Sequence, residues 1–192
     1  LETFDIKALP EADRRHVMAE AMKLAFADRA HWLGDSDFAK VPKGLIDKAY
    51  AKELAQRIDL NKTTDVASYG TPTGADEEWI GKHTTHFCVA DAAGNWVACT
   101  QTVNTTYGSG VIVPGTGVML NNEMDDFAAQ PGVPNAFGLL GADANSVAPG
   151  KRPLSSMSPT IVLKDGKPVF SVGAAGGPTI ITQALQAVVR RL

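Results

Sequence analysis

His83-Thr84-Thr85-His86-Phe87-Cys88-Val89-Ala90-Asp91 runs through Ala92-Ala93-Gly94-Asn95 into an answering stretch, Trp96 to Asn104. Residues 84–90 and 96–103 are apolar or β-branched, which predicts two strands. Asp91 suits the first position of a type I turn, and Gly94 supplies the left-handed residue that follows it. The connection is then a three-residue hairpin with a glycine bulge. If Asp91 faces Asn95, Thr84 lies opposite Thr102 on one face, with Asn104 two residues on. A tighter two-residue turn would instead set Thr85 against Thr102, so register decides which threonine is paired. Thr84 is the candidate nucleophile. It becomes one only when the backbone is cut between His83 and Thr84, so that its new α-amine can act as base.

The composition bounds what the rest can be. Of 192 residues, 44% are apolar and 20% charged, as in soluble globular proteins. A net charge of −3 gives no general attraction to nucleic acid or to an anionic membrane. No apolar run is long enough to span a bilayer, and no signal peptide is visible. The chain starts at Leu1 without an initiator Met and stops at Leu192 inside a helical pattern, so it reads as an excerpt. Cys88 and Cys99 fall on opposite faces of the preferred hairpin, which predicts no disulfide and too few thiols for a zinc framework.

Upstream of the hairpin, Pro10 to about Trp32 reads as a helix. Acids stand in its first turn at Glu11 and Asp13, Val17, Ala21, Leu24 and Ala25 recur at helical spacing, and Gly34 is the expected stop. His16 and His31, on or near it, have no second ligand at metal spacing and read as structural or solvated. Leu45 to Ile58 predicts one or two short helices, with Ile46, Tyr50, Leu54 and Ile58 on one stripe. The polar residues of 59–83, among them Gly70, Pro72, Gly74, Asp76, Glu77 and Glu78, predict a flexible linker, which suits a processing site before Thr84.

Downstream, a Gly-bearing turn, Thr105 to Gly110, precedes Val111-Ile112-Val113. Then comes Asn121-Asn122-Glu123-Met124-Asp125-Asp126-Phe127. Its acids suit an ammonium group or a cation, but not in the alternating pattern of a calcium loop, so no metal is expected. Residues 130–150 are rich in Gly and Pro and predict a long loop, either a lid or a surface excursion anchored by Phe137, Leu139 and Leu140. Lys151-Arg152-Pro153-Leu154-Ser155-Ser156 offers cations and hydroxyls that could hold a carboxylate. Asp165-Gly166 between two β-rich runs is a two-residue hairpin signal. Its register, extended, sets Ser155 near Gly176 and Ser156 near Ala175. Gly173-Ala174-Ala175-Gly176-Gly177, followed by Pro178 and a helical run, has the build of an oxyanion hole at a helix N-terminus. Sites for an ammonium and a carboxylate together recognise the backbone end of an amino acid, so the attacked acyl group would lie on its side chain.

Thr84-Thr85-His86, Asn121 to Phe127, Pro153 to Pro159 and Gly176-Gly177 together resemble the gamma-glutamyltranspeptidase family, over essentially the whole chain. The resemblance implies an α+β N-terminal-nucleophile hydrolase, an αββα sandwich of which this chain holds incomplete sheets. Residues 1–58 would be a helical C-terminal part of the large subunit, 59–83 the linker before the processing site, and 84–192 the N-terminal part of the small catalytic subunit. It further implies cleavage between His83 and Thr84, Thr84 as nucleophile and Thr102 as its hydrogen-bond partner. Asn104, Glu123 and Asp126 would hold the α-amino group of a γ-glutamyl moiety, Ser155 and Ser156 its carboxylate, and Gly176 and Gly177 the oxyanion. The donor would be glutathione or another γ-glutamyl compound, the acceptor water, an amino acid or a peptide. No cofactor is implied, and family habit implies a periplasmic or secreted location.

Two departures bear on activity. Phe137 stands where some members carry a lid-loop tyrosine; its ring can cover a site but cannot donate a hydroxyl hydrogen bond. No arginine before Thr84 matches the family's carboxylate-binding arginine, so the excerpt alone is expected to be inactive. Two other readings remain: a cephalosporin-type acylase or poly-γ-glutamate hydrolase on the same fold, and a non-catalytic fragment that associates through open strand edges.

Overall fold

The computed structural model describes residues 1–66 and 84–191. His83 and the greater part of the expected linker, 67–83, lie outside the described residues. The chain divides into two compact units, Leu1–Thr73 with Phe127–Leu154 and Gly74–Asp126 with Ser155–Leu192. Phe127–Leu154 falls in the same unit as the helical residues near the N-terminus.

The first unit is built on α1, Glu11–Trp32, and α2, Lys48–Ala55. Val17, Glu20 and Leu24 share one face of α1 and are buried. Glu20 is a polar residue in that core. It accepts hydrogen bonds from the Thr64 N–H (2.7 Å) and Lys23 Nζ (3.0 Å). Burial alone would raise its pKa, but the bonds from Thr64 and Lys23 outweigh that and hold it at about 2. Residues 59–66 are therefore tied to α1 at their start: His16 Nε2 also lies 2.9 Å from the Asp59 carbonyl, a structural role for that histidine. His31 packs edge-on against Trp32. Ile46, Tyr50, Leu54 and Ile58 line one cavity with Leu24 and Ala25, as their spacing predicts.

α1 does not end as expected. Leu33, in extended conformation, closes it by donating its N–H to the Arg29 carbonyl. Gly34 serves close approach instead: a Cβ there would run into the carbonyl oxygen of Ala144. The returning segment seals this unit with Phe127 and Ala128, both buried, and with Asn145, whose side-chain carbonyl accepts the Leu154 N–H at 3.0 Å.

The second unit contains two antiparallel hairpins and a helix. β1, Thr85–Ala90, pairs with β2, Trp96–Gln101, from Ala90↔Trp96 to Thr85↔Gln101. This is the register that sets Thr84 against Thr102. Asp91 fixes the turn by accepting from the Asn95 N–H (2.9 Å), and Gly94 takes φ +88°. Cys88 pairs with Ala98 and Cys99 with Phe87, so the thiols fall on opposite faces, and both are free.

β3, Thr160–Lys164, pairs with β4, Lys167–Val172, through Asp165-Gly166, both left-handed. Lys164↔Lys167 and Leu163↔Pro168 follow the expected register, but the next pair is Val162↔Phe170. Val169 is an extra, bulged residue. Pro168 has no N–H to give the ladder, and bulges are where strands tolerate proline. The bulge shifts the rest of the strand by one residue, so the expected alignment of Ser155 with Gly176 and Ser156 with Ala175 does not hold. Among the described residues this ladder ends at Thr160↔Val172.

β4 lies against the face of β1 that carries His86 and Cys88; the Ser171 hydroxyl is 3.1 Å from Cys88 Sγ. α3, Thr179–Arg191, follows Pro178 and buries Ile180 and Ala184. Among the described residues no helix is long and apolar enough to cross a membrane.

Candidate active site

Thr84, Thr102, Asn104, Glu123, Asp126, Ser155, Ser156, Gly176 and Gly177 all belong to the second unit. The β1–β2 register brings Thr84 Oγ1 to 3.3 Å from Thr102 Oγ1. Thr102 Oγ1 also accepts the Asn104 backbone N–H at 2.8 Å. Asn104 turns the chain out of β2 at φ +80°, a left-handed conformation that Asn tolerates better than most side chains. That turn aims its side-chain amide inward. Nδ2 donates to the Asn122 carbonyl and to Asp126 Oδ1, both at 3.1 Å.

Glu123–Asp126 is a single 3-10 turn. Side chains three apart eclipse in such a turn, so Glu123 and Asp126 stand together. Burial, and then the hydrogen bond and charge of Asp126, push the Glu123 carboxyl up to about 7. Two adjacent carboxyls resist carrying two negative charges, and a cation beside them would relieve that repulsion. Asp125 is not part of the pair: Asn122 Nδ2 donates to it at 2.8 Å. Asn122, which the sequence offers beside the acids as a possible cation or ammonium binder, braces a loop here. Its Oδ1 accepts from both the N–H and the hydroxyl of Thr105 at 3.0 Å, bracing the loop after Asn104.

The glycine turn is held from its carbonyl side. Gln183 Nε2 donates to the Ala175 carbonyl at 3.3 Å, the Thr179 hydroxyl to that of Gly176 at 2.8 Å, and the Ile180 N–H to that of Gly177 at 3.1 Å. No described peptide bond is cis, and in a trans peptide C=O and N–H point opposite ways. The N–H groups of Gly176 and Gly177 therefore point away from the first turn of α3. Both residues have positive φ, +140° and +55°, which favours glycine at each.

Ser155 Oγ accepts the Met157 N–H at 3.1 Å, and the Ser156 carbonyl accepts from the Ser158 hydroxyl at 3.1 Å. The cations before them are not available for a carboxylate ligand, contrary to expectation. Arg152 grips Asp35 through Nε (3.0 Å), Nη2 (2.6 Å) and its own backbone N–H (2.9 Å), and reaches Asp37 at 2.7 Å. Lys151 Nζ donates to the Ser146 carbonyl at 2.7 Å. Both serve the first unit. Phe137 is also in that unit, half-buried, its N–H donating to Asn135 Oδ1 at 3.0 Å.

A profile of the gamma-glutamyltranspeptidase family matches residues 1–192, the whole chain. The chain belongs to the gamma-glutamyltranspeptidase family. Among its relatives, the glutathione hydrolase proenzyme of Escherichia coli is 52% identical over 195 residues, covering 100% of this chain and 33% of that protein. An acylase ACY 1 proenzyme of a Pseudomonas species is 42% identical over 192 residues, covering 98% of this chain and 32% of that one. The chain thus spans about a third of the length of the curated relatives it matches. A crystal structure of a mutant gamma-glutamyltranspeptidase from Helicobacter pylori aligns with a TM-score of 0.54 and 55% identity, covering 55% of this chain and 57% of that one. The fold class is accordingly the α+β N-terminal-nucleophile hydrolase fold read from the sequence.

Proposed function

We propose that the protein containing this chain transfers γ-glutamyl groups from glutathione and similar donors to water, amino acids or peptides, after cutting itself between His83 and Thr84. The observation that carries this reading is the continuous chain of hydrogen bonds from Thr84 Oγ1 through Thr102 and Asn104 to Asp126. It supports a hydroxyl nucleophile at one end and a cation receptor at the other.

In the reaction proposed, Thr84 Oγ attacks the γ-carbonyl and its proton passes to the freed α-amine. That amine has a reference pKa near 8, suited to a base at neutral pH. The N–H groups of Gly176 and Gly177 stabilise the oxyanion. One such donor is typically worth about 3–4 kcal/mol in the transition state. The α-ammonium passes the proton to the leaving amine as the C–N bond breaks, leaving a γ-glutamyl ester on Thr84. Water or an acceptor amine then attacks the ester, giving up its proton to the same base, which returns it to Thr84 Oγ as the acyl C–O bond breaks and glutamate or the new γ-glutamyl compound leaves. Glu123 and Asp126, with Asn104, hold the donor's α-ammonium, and Ser155 and Ser156 its α-carboxylate. Phe137 is assigned to a lid loop, where it would close by packing alone. The large-subunit and small-subunit parts outside this chain are needed for activity, and the family habit supports a periplasmic or secreted site.

Intact mass and N-terminal sequencing of wild type beside Thr84→Ala test the reading. Two pieces, one beginning at Thr84, are expected for wild type and a single chain for the variant. Cleavage that persists in the variant overturns the assignment of the nucleophile. The likeness to an acylase proenzyme favours a second reading, acyl release from a cephalosporin-type amide on the same fold. Glutamate release from glutathione separates the two. A chain that stays whole in both forms points to a non-catalytic fragment.

A further inference from the structure

We propose that His86 is a positioning residue: its imidazole fills the space a side chain on Gly173 would need, and so sets the backbone that leads to Gly176 and Gly177. The inference rests on the transfer reaction proposed above, since it concerns how the oxyanion donors are held relative to Thr84. His86 lies two residues after Thr84 in β1, with its side chain on the same face. Its Nδ1 is 2.8 Å from Thr100 Oγ1 on the paired strand, and its Nε2 is 3.1 Å from Cys88 Sγ. These contacts fix the ring plane. A Cβ built on Gly173 would stand far inside contact distance of the ring, nearest to Nδ1, Cε1 and Cγ.

Gly173 is the first residue after β4, three before Gly176. Its φ is not in the left-handed region, so conformation does not demand glycine there; the imidazole does. The turn is then held at two places, by α3 through the carbonyls of Ala175, Gly176 and Gly177, and by His86 at its entrance. Thr84 directly precedes the strand that carries His86, so a shift of the entrance is a shift relative to the nucleophile. Misplacing a reacting group by about 1 Å can cost roughly a hundredfold in rate.

The test is a double-mutant cycle in the full-length gene product, with γ-glutamyl-p-nitroanilide as donor: wild type, His86→Ala, Gly173→Ala and the double variant. Gly173→Ala is expected to lower kcat about a hundredfold and leave KM within roughly threefold, because the donor's amino and carboxylate contacts are untouched. The double variant, with the ring removed, should recover at least about tenfold of that kcat. If Gly173→Ala fails to fold, thermal melting replaces kcat, and the double variant should regain a cooperative transition. Thr100→Val, which frees the ring without creating space, should lower kcat and leave KM unchanged. A double variant no better than Gly173→Ala in kcat and in melting overturns the proposal. A wild-type protein that releases no p-nitroaniline overturns the transfer reading itself, a result separate from the other.

Discussion

The side-chain amide of Asn104 donates to Asp126 at 3.1 Å while its backbone N–H donates to Thr102 at 2.8 Å. One residue, held at φ +80°, therefore joins the partner of the candidate nucleophile to the carboxyl pair. Asn104→Ala keeps the position but removes the donor to a charged acceptor and puts a less tolerant residue at positive φ. A hydrogen bond to a charged group is worth about 1.5–3 kcal/mol. KM for a γ-glutamyl donor should rise roughly tenfold or more, with kcat affected less. Steady-state kinetics check this; a lower kcat at unchanged KM would mean that Asn104 serves the nucleophile alone.

Glu123 gives a pH dependence whose sign is fixed. Burial and Asp126 raise its carboxyl to about 7, so below that pH the pair carries one negative charge fewer. Binding of an α-ammonium should weaken as pH falls from about 8 to 6, seen as rising KM. Glu123→Gln should flatten that KM profile and leave the kcat titration of the Thr84 amine in place. Stability runs the opposite way: a raised carboxyl favours the folded state at low pH. Its unfavourable contribution grows as pH climbs from its ordinary value through 7. Glu123→Gln should accordingly melt higher than wild type at pH 8 and lose that advantage near pH 4.

Arg152 and Asp35 give a prediction for the first unit. The Arg152 side chain and backbone N–H both reach Asp35, and these bonds hold that carboxyl far below its usual range. A depressed carboxyl stabilises the fold above its ordinary pKa and loses that contribution as pH falls further. Arg152→Ala should lower the melting temperature at pH 7, and the loss should shrink toward pH 3. Arg152→Lys should rescue little, because an ammonium cannot repeat the two-pronged contact. Full rescue by lysine would show that charge alone matters.

The two hairpins and the helices at 11–32 and 179–191 are legible in the sequence, because they rest on local signals. Asp91 and Gly94 set the first register, and Asp165-Gly166 sets the second turn. What was not legible depends on contacts between distant segments. Arg152 reads as a ligand for an anion until Asp35, over a hundred residues away, is seen to occupy it. Gly34 reads as a helix stop, because nothing local reveals the carbonyl of Ala144 against it. Pro168 did carry a signal: a proline inside a strand pattern predicts a bulge, and the register read from the turn alone passes over it.

That bulge has a result beyond its own strand. The turn at Asp165-Gly166 anchors the ladder, so the extra residue Val169 decides what leaves β4 at its far end. Without it, every later residue would advance one place, and Val172 would come to the position Gly173 now occupies. An isopropyl group cannot share space with the imidazole of His86. One looped-out valine thus works like the tooth of a gear, keeping two separately formed hairpins in phase, so that the smallest residue arrives where the ring is.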